Sequence, residues 1–324
     1  MIMNRFIYYW RRNNWMLNPK NYTDRYANTN IDKPVFLLGN QGDGLTLLSR
    51  MLRRNPDIVS VTGNSEYWAG ADEMQNVFEP ILPVELSGIR FKAPKHPRFS
   101  PPRSWSYACD DLIDTYRNSE KDVTEELQSR LTNVIGIALN RYGKEIKNPR
   151  FVDKSQVFTV KLAFISELLK AHEPYFVHVT RDPYATCYRA ATGLAADMKR
   201  YAKFMDLDER MEICVQHWCN MARAVEEDCA KAENFLRIKF EDLLAFPERV
   251  LEEVCCFIGI EFIDDMVPKA HHKLPRGIRF PDRWYPLVTN INEKYLAEIP
   301  LNYIELVHRK CQELAERQGY SRPE

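Results

Sequence analysis

Residues 34–52 read Pro-Val-Phe-Leu-Leu-Gly-Asn-Gln-Gly-Asp-Gly-Leu-Thr-Leu-Leu-Ser-Arg-Met-Leu. Val35 to Leu38 is an unbroken apolar run, the pattern of a parallel strand covered on both faces. Gly39, Gly42 and Gly44 mark a turn, and Leu45, Leu48, Met51 and Leu52 then fall at helical spacing. A strand, a glycine loop and a helix in succession aim backbone N–H groups and a helix N-terminus at an anion. A Walker A loop has glycines at the spacing of Gly39 and Gly44, followed by Lys and then Ser or Thr. Thr46 supplies the hydroxyl, but Leu45 stands where the lysine belongs. The phosphate cradle is therefore expected, without the cation that grips the β/γ-phosphates of a nucleoside triphosphate. This argues against an ordinary ATPase or GTPase and leaves an anion with a different reacting end.

The rest of the chain extends this beginning. Tyr175 to Thr180 is strongly β-prone and runs into Arg181-Asp182-Pro183, where Pro183 suits the first position of a helix. Phe151-Val152-Asp153-Lys154-Ser155 reads as a strand end entering a loop, and Phe235 to Phe240 as a further strand. Ile58 to Thr62 is expected as a second short strand. Helices are predicted over 45–52, 121–142, 160–169, 206–232 and 292–318, and another opens at Pro247 and is capped by Gly259. Asp206 and Glu209 suit a capping box. Strands alternating with helices imply an α/β fold, a P-loop-type parallel sheet flanked by helices. An irregular insertion rich in proline and glycine follows the first βα unit at 63–118; residues 1–33 read as an N-terminal arm and 34–324 as a single domain.

Composition narrows the function. Lys plus Arg and Asp plus Glu number 45 each, so no bulk charge draws the chain to nucleic acid, and a basic site must be local. No run of 18 apolar residues predicts a transmembrane helix. The eight cysteines are scattered with no Cys-x-x-Cys pair and read as buried thiols, which gives the expectation of a cytoplasmic protein. The histidines lie away from ligand spacing, His271 and His272 being adjacent, so no metal site is expected. Arg181 follows a predicted strand at the edge where open α/β sheets bind ligands, and Arg189 lies on the next helix; together they are placed to clamp a second phosphate.

These residues resemble those of the sulfotransferase family, in its carbohydrate and bacterial type. Val35 to Leu48 is similar to the 5′-phosphosulfate loop, a strand followed by Gly-x-Pro-Arg/Lys-Ser-Gly-Thr-Thr-Leu-Leu. Phe176 to Pro183 resembles the 3′-phosphate segment, and Asp153-Lys154-Ser155 the Asp-Lys-Ser/Thr stretch between the two. Lys239-Phe240-Glu241-Asp242-Leu243 with Pro247-Glu248 resembles Tyr-Glu-Asp-Leu…Pro-Glu, and Asp282-Arg283-Trp284 the late Gly-Arg-Trp element. All five occur in family order over 34–290. The resemblance implies 3′-phosphoadenosine 5′-phosphosulfate as cofactor and sulfuryl transfer to a hydroxyl or amine of a carbohydrate or other small-molecule acceptor. The backbone of Gly42, Asp43, Gly44, Leu45, Thr46 and Leu47 would hold the 5′-phosphosulfate, and Arg181 and Arg189 the 3′-phosphate. Glu66, where tyrosylprotein-type and bacterial members often carry Glu, is the expected base, with His96 as runner-up.

Four positions depart from the family pattern. Gly42 replaces the Lys or Arg that helps stabilise charge at the bridging oxygen, Asp43 replaces Ser or Thr, Leu45 replaces Thr, and Arg189 replaces Ser. Lys154 is the expected source of the missing cation, with Arg50 and Lys92 behind it. A non-catalytic nucleotide-binding module and a P-loop phosphotransferase are the alternative readings.

Overall fold

A computed structural model describes residues 29–64, 72–79, 81–86, 98–99, 105–193, 196–272 and 284–324. Five strands form a parallel sheet in the order β2 (Ile58–Val59), β4 (Arg150–Asp153), β1 (Val35–Leu38), β5 (Tyr175–Thr180), β6 (Asn234–Lys239). β1 is central, pairing Val35 with Val152 on one side and Val35 to Leu38 with Tyr175 to His178 on the other. Its four residues are buried and alternate between two cores: Phe36 and Leu38 join one, Val35 and Leu37 the other. Burial on both faces is why this strand reads as an unbroken apolar run.

Helices cover both faces. The core on the Val35 side is completed by α1 (Leu45–Leu52) and by residues of later helices such as Val250, Leu251 and Val254. The core on the Phe36 side takes in α2 (Glu125–Tyr142), α3 (Leu162–Leu168), α4 (Pro183–Ala191), α5 (Leu207–Asp228) and, beyond α6 (Phe240–Ala245) and α7 (Pro247–Ile258), α8 (Leu301–Arg317). Phe36 packs edge-on to Phe158 at 5.9 Å and stacks on Phe176 at 5.8 Å between ring centroids. Local signals set the helix ends as expected. Asp206 and Glu209 make both bonds of a capping box, Pro183 and Pro247 open helices, and Gly259 closes α7 at φ +70°.

The structure corrects several boundaries. The Ile58–Thr62 run is two strands, β2 and β3 (Val61–Asn64). The break falls at Ser60, whose hydroxyl donates to the Gly63 carbonyl and accepts from Thr62 N–H, competing with a continuous ladder. The 160–169 helix begins as a 3₁₀ segment over Gln156–Lys161. The 292–318 helix divides at Pro300, which has no N–H to give to the preceding turn. Phe240 starts a helix rather than ending β6. Beyond the end of β3, the described part of the 63–118 insertion holds short helical turns, yet Met74, Phe78, Phe99, Trp105 and Tyr107 are fully buried, so it helps build the main core.

The cysteines differ from expectation at one pair. Cys219 on α5 and Cys311 on α8 form a disulfide across 92 residues, a spacing with no local signature. Cys109, Cys187, Cys214 and Cys255 are buried thiols whose burial raises their pKa. Among the described residues no helix is long and apolar enough to cross a membrane.

Candidate active site

Four strands end at one edge, and the residue after each belongs to the candidate site: Gly39 after β1, Lys154 after β4, Arg181 after β5 and Phe240 after β6. This is the carboxyl edge, where open α/β sheets bind ligands. The loop Gly39–Gly44 is shaped by its glycines. Gly39, Gly42 and Gly44 have φ of +147°, +109° and +95°. A Cβ at Gly39 would stand 2.6 Å from the Val179 carbonyl oxygen, and one at Gly44 would stand 2.3 Å from the Phe240 ring. Gly44 also precedes α1 without any side chain to cap the helix, and the first turn of α1 carries no acidic residue. Among the described residues no side chain caps the N–H groups of Leu45, Thr46 and Leu47, which are thus able to meet an anion. Leu45 itself is buried in the core, and Thr46 and Leu47 are half-buried.

Asp43 does not point its charge out of the loop. Its Oδ2 accepts from the Asn40 N–H at 2.8 Å and from Asn40 Nδ2 at 3.1 Å, while its own N–H donates to the Asn40 carbonyl. Oδ1 is buried with no hydrogen-bond partner among the described residues. Burial raises the carboxyl pKa to about 7 despite the hydrogen bonds from Asn40 and the charge of Arg181. Near neutrality the acid form is thus accessible, and it would place a donor hydrogen in the loop where a carboxylate would repel an anion.

Arg181 is 2% exposed and braces this loop. Nη1 donates to the Gly42 carbonyl at 2.6 Å, and Nε and Nη2 donate to Asn292 Oδ1 at 2.9 and 2.6 Å. The guanidinium lies 4.6 Å above the Phe240 ring, on the residue that also packs against Gly44. Asn292 Nδ2 donates to Glu241 Oε1 at 2.5 Å, and the other Glu241 oxygen accepts from the Tyr320 hydroxyl at 3.0 Å. Glu241 also takes the Asp182 N–H, while the Asp182 carboxylate caps α4 through Ala185 N–H. Burial, followed by the charge of Arg189, lowers the Arg181 pKa to about 10, so it remains a cation. Arg189, half-buried in the last turn of α4, lays its guanidinium over Gly42. Phe240, Glu241, Asn292 and Tyr320 were not singled out as site residues from sequence, because their roles depend on partners far along the chain.

Lys154 sits elsewhere than a free cation would. Its ammonium is 2.9 Å from Glu73 Oε1 and 3.1 Å from Asp72 Oδ1, with all three residues buried. Asp72 also meets Arg50 at 2.9 Å and Arg53 at 3.1 Å. Arg50 is therefore tied to the same cluster. Asp153 and Ser155 hold the adjoining segment through Met74 N–H and Gln75 N–H. Asp72 and Glu73, absent from the sequence reading, are the residues around which this cluster forms. Glu66, His96 and Lys92 lie outside the described residues. Asp265, His271 and His272 do approach one another, although adjacency argued against a metal set; both ring nitrogens of His272 are bonded already, to Asp265 and to Lys269 N–H.

A family model described as the sulfotransferase family matches residues 34–265, more than half of the chain. No curated protein sequence matches. Among solved structures, the sulfotransferase domain from the curacin biosynthetic pathway is similar at 16% identity and TM-score 0.56, covering 91% of this chain and 100% of that one. The sulfotransferase domain from the Synechococcus PCC 7002 olefin synthase is similar at 17% identity and TM-score 0.51, covering 90% and 97%. Sulfotransferase STF9 from Mycobacterium avium is similar at 11% identity and TM-score 0.52, covering 91% and 79%. At these identities the likeness is one of fold.

Proposed function

The chain belongs to the sulfotransferase family, and we propose that it moves a sulfuryl group from 3′-phosphoadenosine 5′-phosphosulfate to a hydroxyl or amine of a carbohydrate or other small molecule. The observation that carries this reading is the loop itself. Three glycines with positive φ open onto uncapped N–H groups, Leu45 replaces the triphosphate lysine, and two arginines converge on Gly42. That set fits a singly bridged 5′ anion with a second phosphate nearby and does not fit a nucleoside triphosphate. When bound, the donor supplies an activated sulfuryl group. The backbone of Gly42 to Leu47 with the Thr46 hydroxyl binds its 5′ end, and Arg181 and Arg189 supply the cations. Glu66 takes the acceptor proton by the sequence resemblance. Transfer of this kind depends on positioning and charge stabilisation.

The test is a transfer assay with sulfur-labelled donor against a panel of alcohol, sugar and amine acceptors, run beside calorimetry. Labelled product, with adenosine 3′,5′-bisphosphate binding more tightly than ATP, is the expected result. Binding of the bisphosphate without transfer to any acceptor would favour the non-catalytic alternative, and ATP turnover would favour phosphoryl transfer.

Asp43 makes this site sensitive to pH. Its folded pKa is raised above the unfolded value, so its contribution to stability is present below the ordinary carboxyl range and is lost as pH rises through about 7. The same ionisation puts a negative charge in the anion loop. Affinity for the bisphosphate should therefore fall between pH 6 and pH 8 by up to about 10-fold per unit from this group. Asp43→Asn should remove that component, leaving only the titration of the nucleotide. Calorimetric profiles of wild type and variant that run parallel would show that Asp43 does not titrate there.

A further inference from the structure

Two guanidinium groups meet at Gly42. Arg181 Nη1 bonds its carbonyl at 2.6 Å. Arg189 faces its α-carbon: a Cβ built on Gly42 would stand 2.3 Å from Nη1 and 3.2 Å from Cζ. Real Cβ atoms do not come that close, so Arg189 and any side chain at 42 would compete for one space. Gly42 also has φ +109°, which glycine tolerates and other residues do not. Arg189 reaches this point because α4 leaves β5 and β5 pairs directly with β1, the strand that delivers the loop.

We propose that Arg189 is the cation of the 5′-phosphosulfate end: its guanidinium occupies the place of the side chain that Gly42 lacks and acts on the bridging oxygen rather than on the 3′-phosphate. The inference rests on the donor reading given above. As the acceptor oxygen bonds to sulfur, the bond from sulfur to the bridging oxygen breaks and its electron pair stays on that oxygen. The acceptor proton passes to the base, proposed as Glu66, and Arg189 donates to the oxygen that gains the charge. The two departures at 42 and 189 are then one exchange. The cation has moved from the loop to α4, and the loop has lost the side chain that would block it. Lys154, ion-paired with Asp72 and Glu73, is not needed for this task. A bound anion would add to the charges of Asp43 and Glu241 that already act against the repulsion of Arg181 by Arg189.

Truncated nucleotides separate the two ends without an acceptor being known. Calorimetry compares wild type and Arg189→Ala with adenosine 3′,5′-bisphosphate, adenosine 5′-phosphate and adenosine 3′-phosphate. The expected loss is about 10- to 100-fold for the two ligands that carry a 5′-phosphate and none for adenosine 3′-phosphate. Arg189→Lys keeps the charge but not the planar fork and should recover part of the loss. The inference is overturned if the Arg189→Ala loss follows the 3′-phosphate, or if all three ligands bind as in wild type. If wild type binds none of the three, the donor reading itself fails, and that outcome is distinct from either.

Discussion

Lys154→Met should lower stability by about 3 kcal/mol, at the low end of the range for removing one partner of a buried ion pair. The ammonium has two carboxylates around it, and they lose it unequally. Asp72 keeps Arg50 and Arg53, whereas among the described residues Glu73 keeps the side-chain amides of Gln75 and Asn76 alone. A buried carboxylate thus loses its only ion pair among the described residues, at the point where β4 is tied to the Asp72–Val77 segment. The pH dependence gives the prediction its sign. Burial alone would raise the Asp72 carboxyl, but Lys154, Arg50 and Arg53 outweigh it and hold it well below its ordinary value. Burial would lower the Lys154 ammonium, and Asp72 and Glu73 instead raise it. The Asp72 contribution is present above the ordinary carboxyl range and lost as pH falls below it; the Lys154 contribution is present below the ordinary lysine pKa and lost above the raised one. Urea unfolding at pH 7 should therefore show the full gap between wild type and Lys154→Met, and at pH 3 the gap should narrow. An unchanged midpoint at pH 7 with turnover lost would instead mark Lys154 as a cation of the reaction.

What the sequence reveals here is what depends on neighbours along the chain. The four-residue apolar run of β1, the glycine spacing, the capping box at Asp206 and the Pro183 and Gly259 helix ends are all local, and each stands where its residues place it. The same locality hides the rest. Lys154 reads as a free cation on a loop because Asp72 and Glu73 are 82 and 81 positions away, inside a stretch that has no periodicity. Cys219 reads as a thiol because its partner is on α8. Asn292 carries no signal at all, yet it orients Arg181 and links it to Glu241. Gly42 and Arg189 can each be seen as departures from a family pattern. Only the β1–β5 pairing shows that the two departures face each other.

Arg181→Ala is expected to weaken binding of adenosine 3′,5′-bisphosphate by about 10- to 100-fold and to destabilise the fold as well. The guanidinium spends three of its N–H donors on Gly42 O and Asn292 Oδ1, which leaves two of the five for a ligand. Removing it takes one charged donor pair from the phosphate, a loss of about 1.5–3 kcal/mol. It also leaves the largely buried Asn292 Oδ1 without a donor, at a further cost of about 1–3 kcal/mol in stability. The loop loses the bond that fixes the Gly42 carbonyl, so its N–H groups are less well aimed. Arg181→Lys should recover little, because an ammonium cannot span Gly42 O and Asn292 while presenting a flat face to Phe240 at 4.6 Å. Binding and unfolding must be measured on the same samples, since the two losses have different origins. The ligand pattern separates Arg181 from Arg189. If Arg181 meets the 3′-phosphate, the variant loses the advantage of the bisphosphate over adenosine 5′-phosphate, while Arg189→Ala preserves it. Equal wild-type affinity for those two nucleotides would remove the 3′-phosphate from Arg181 and leave it as the brace of the loop alone.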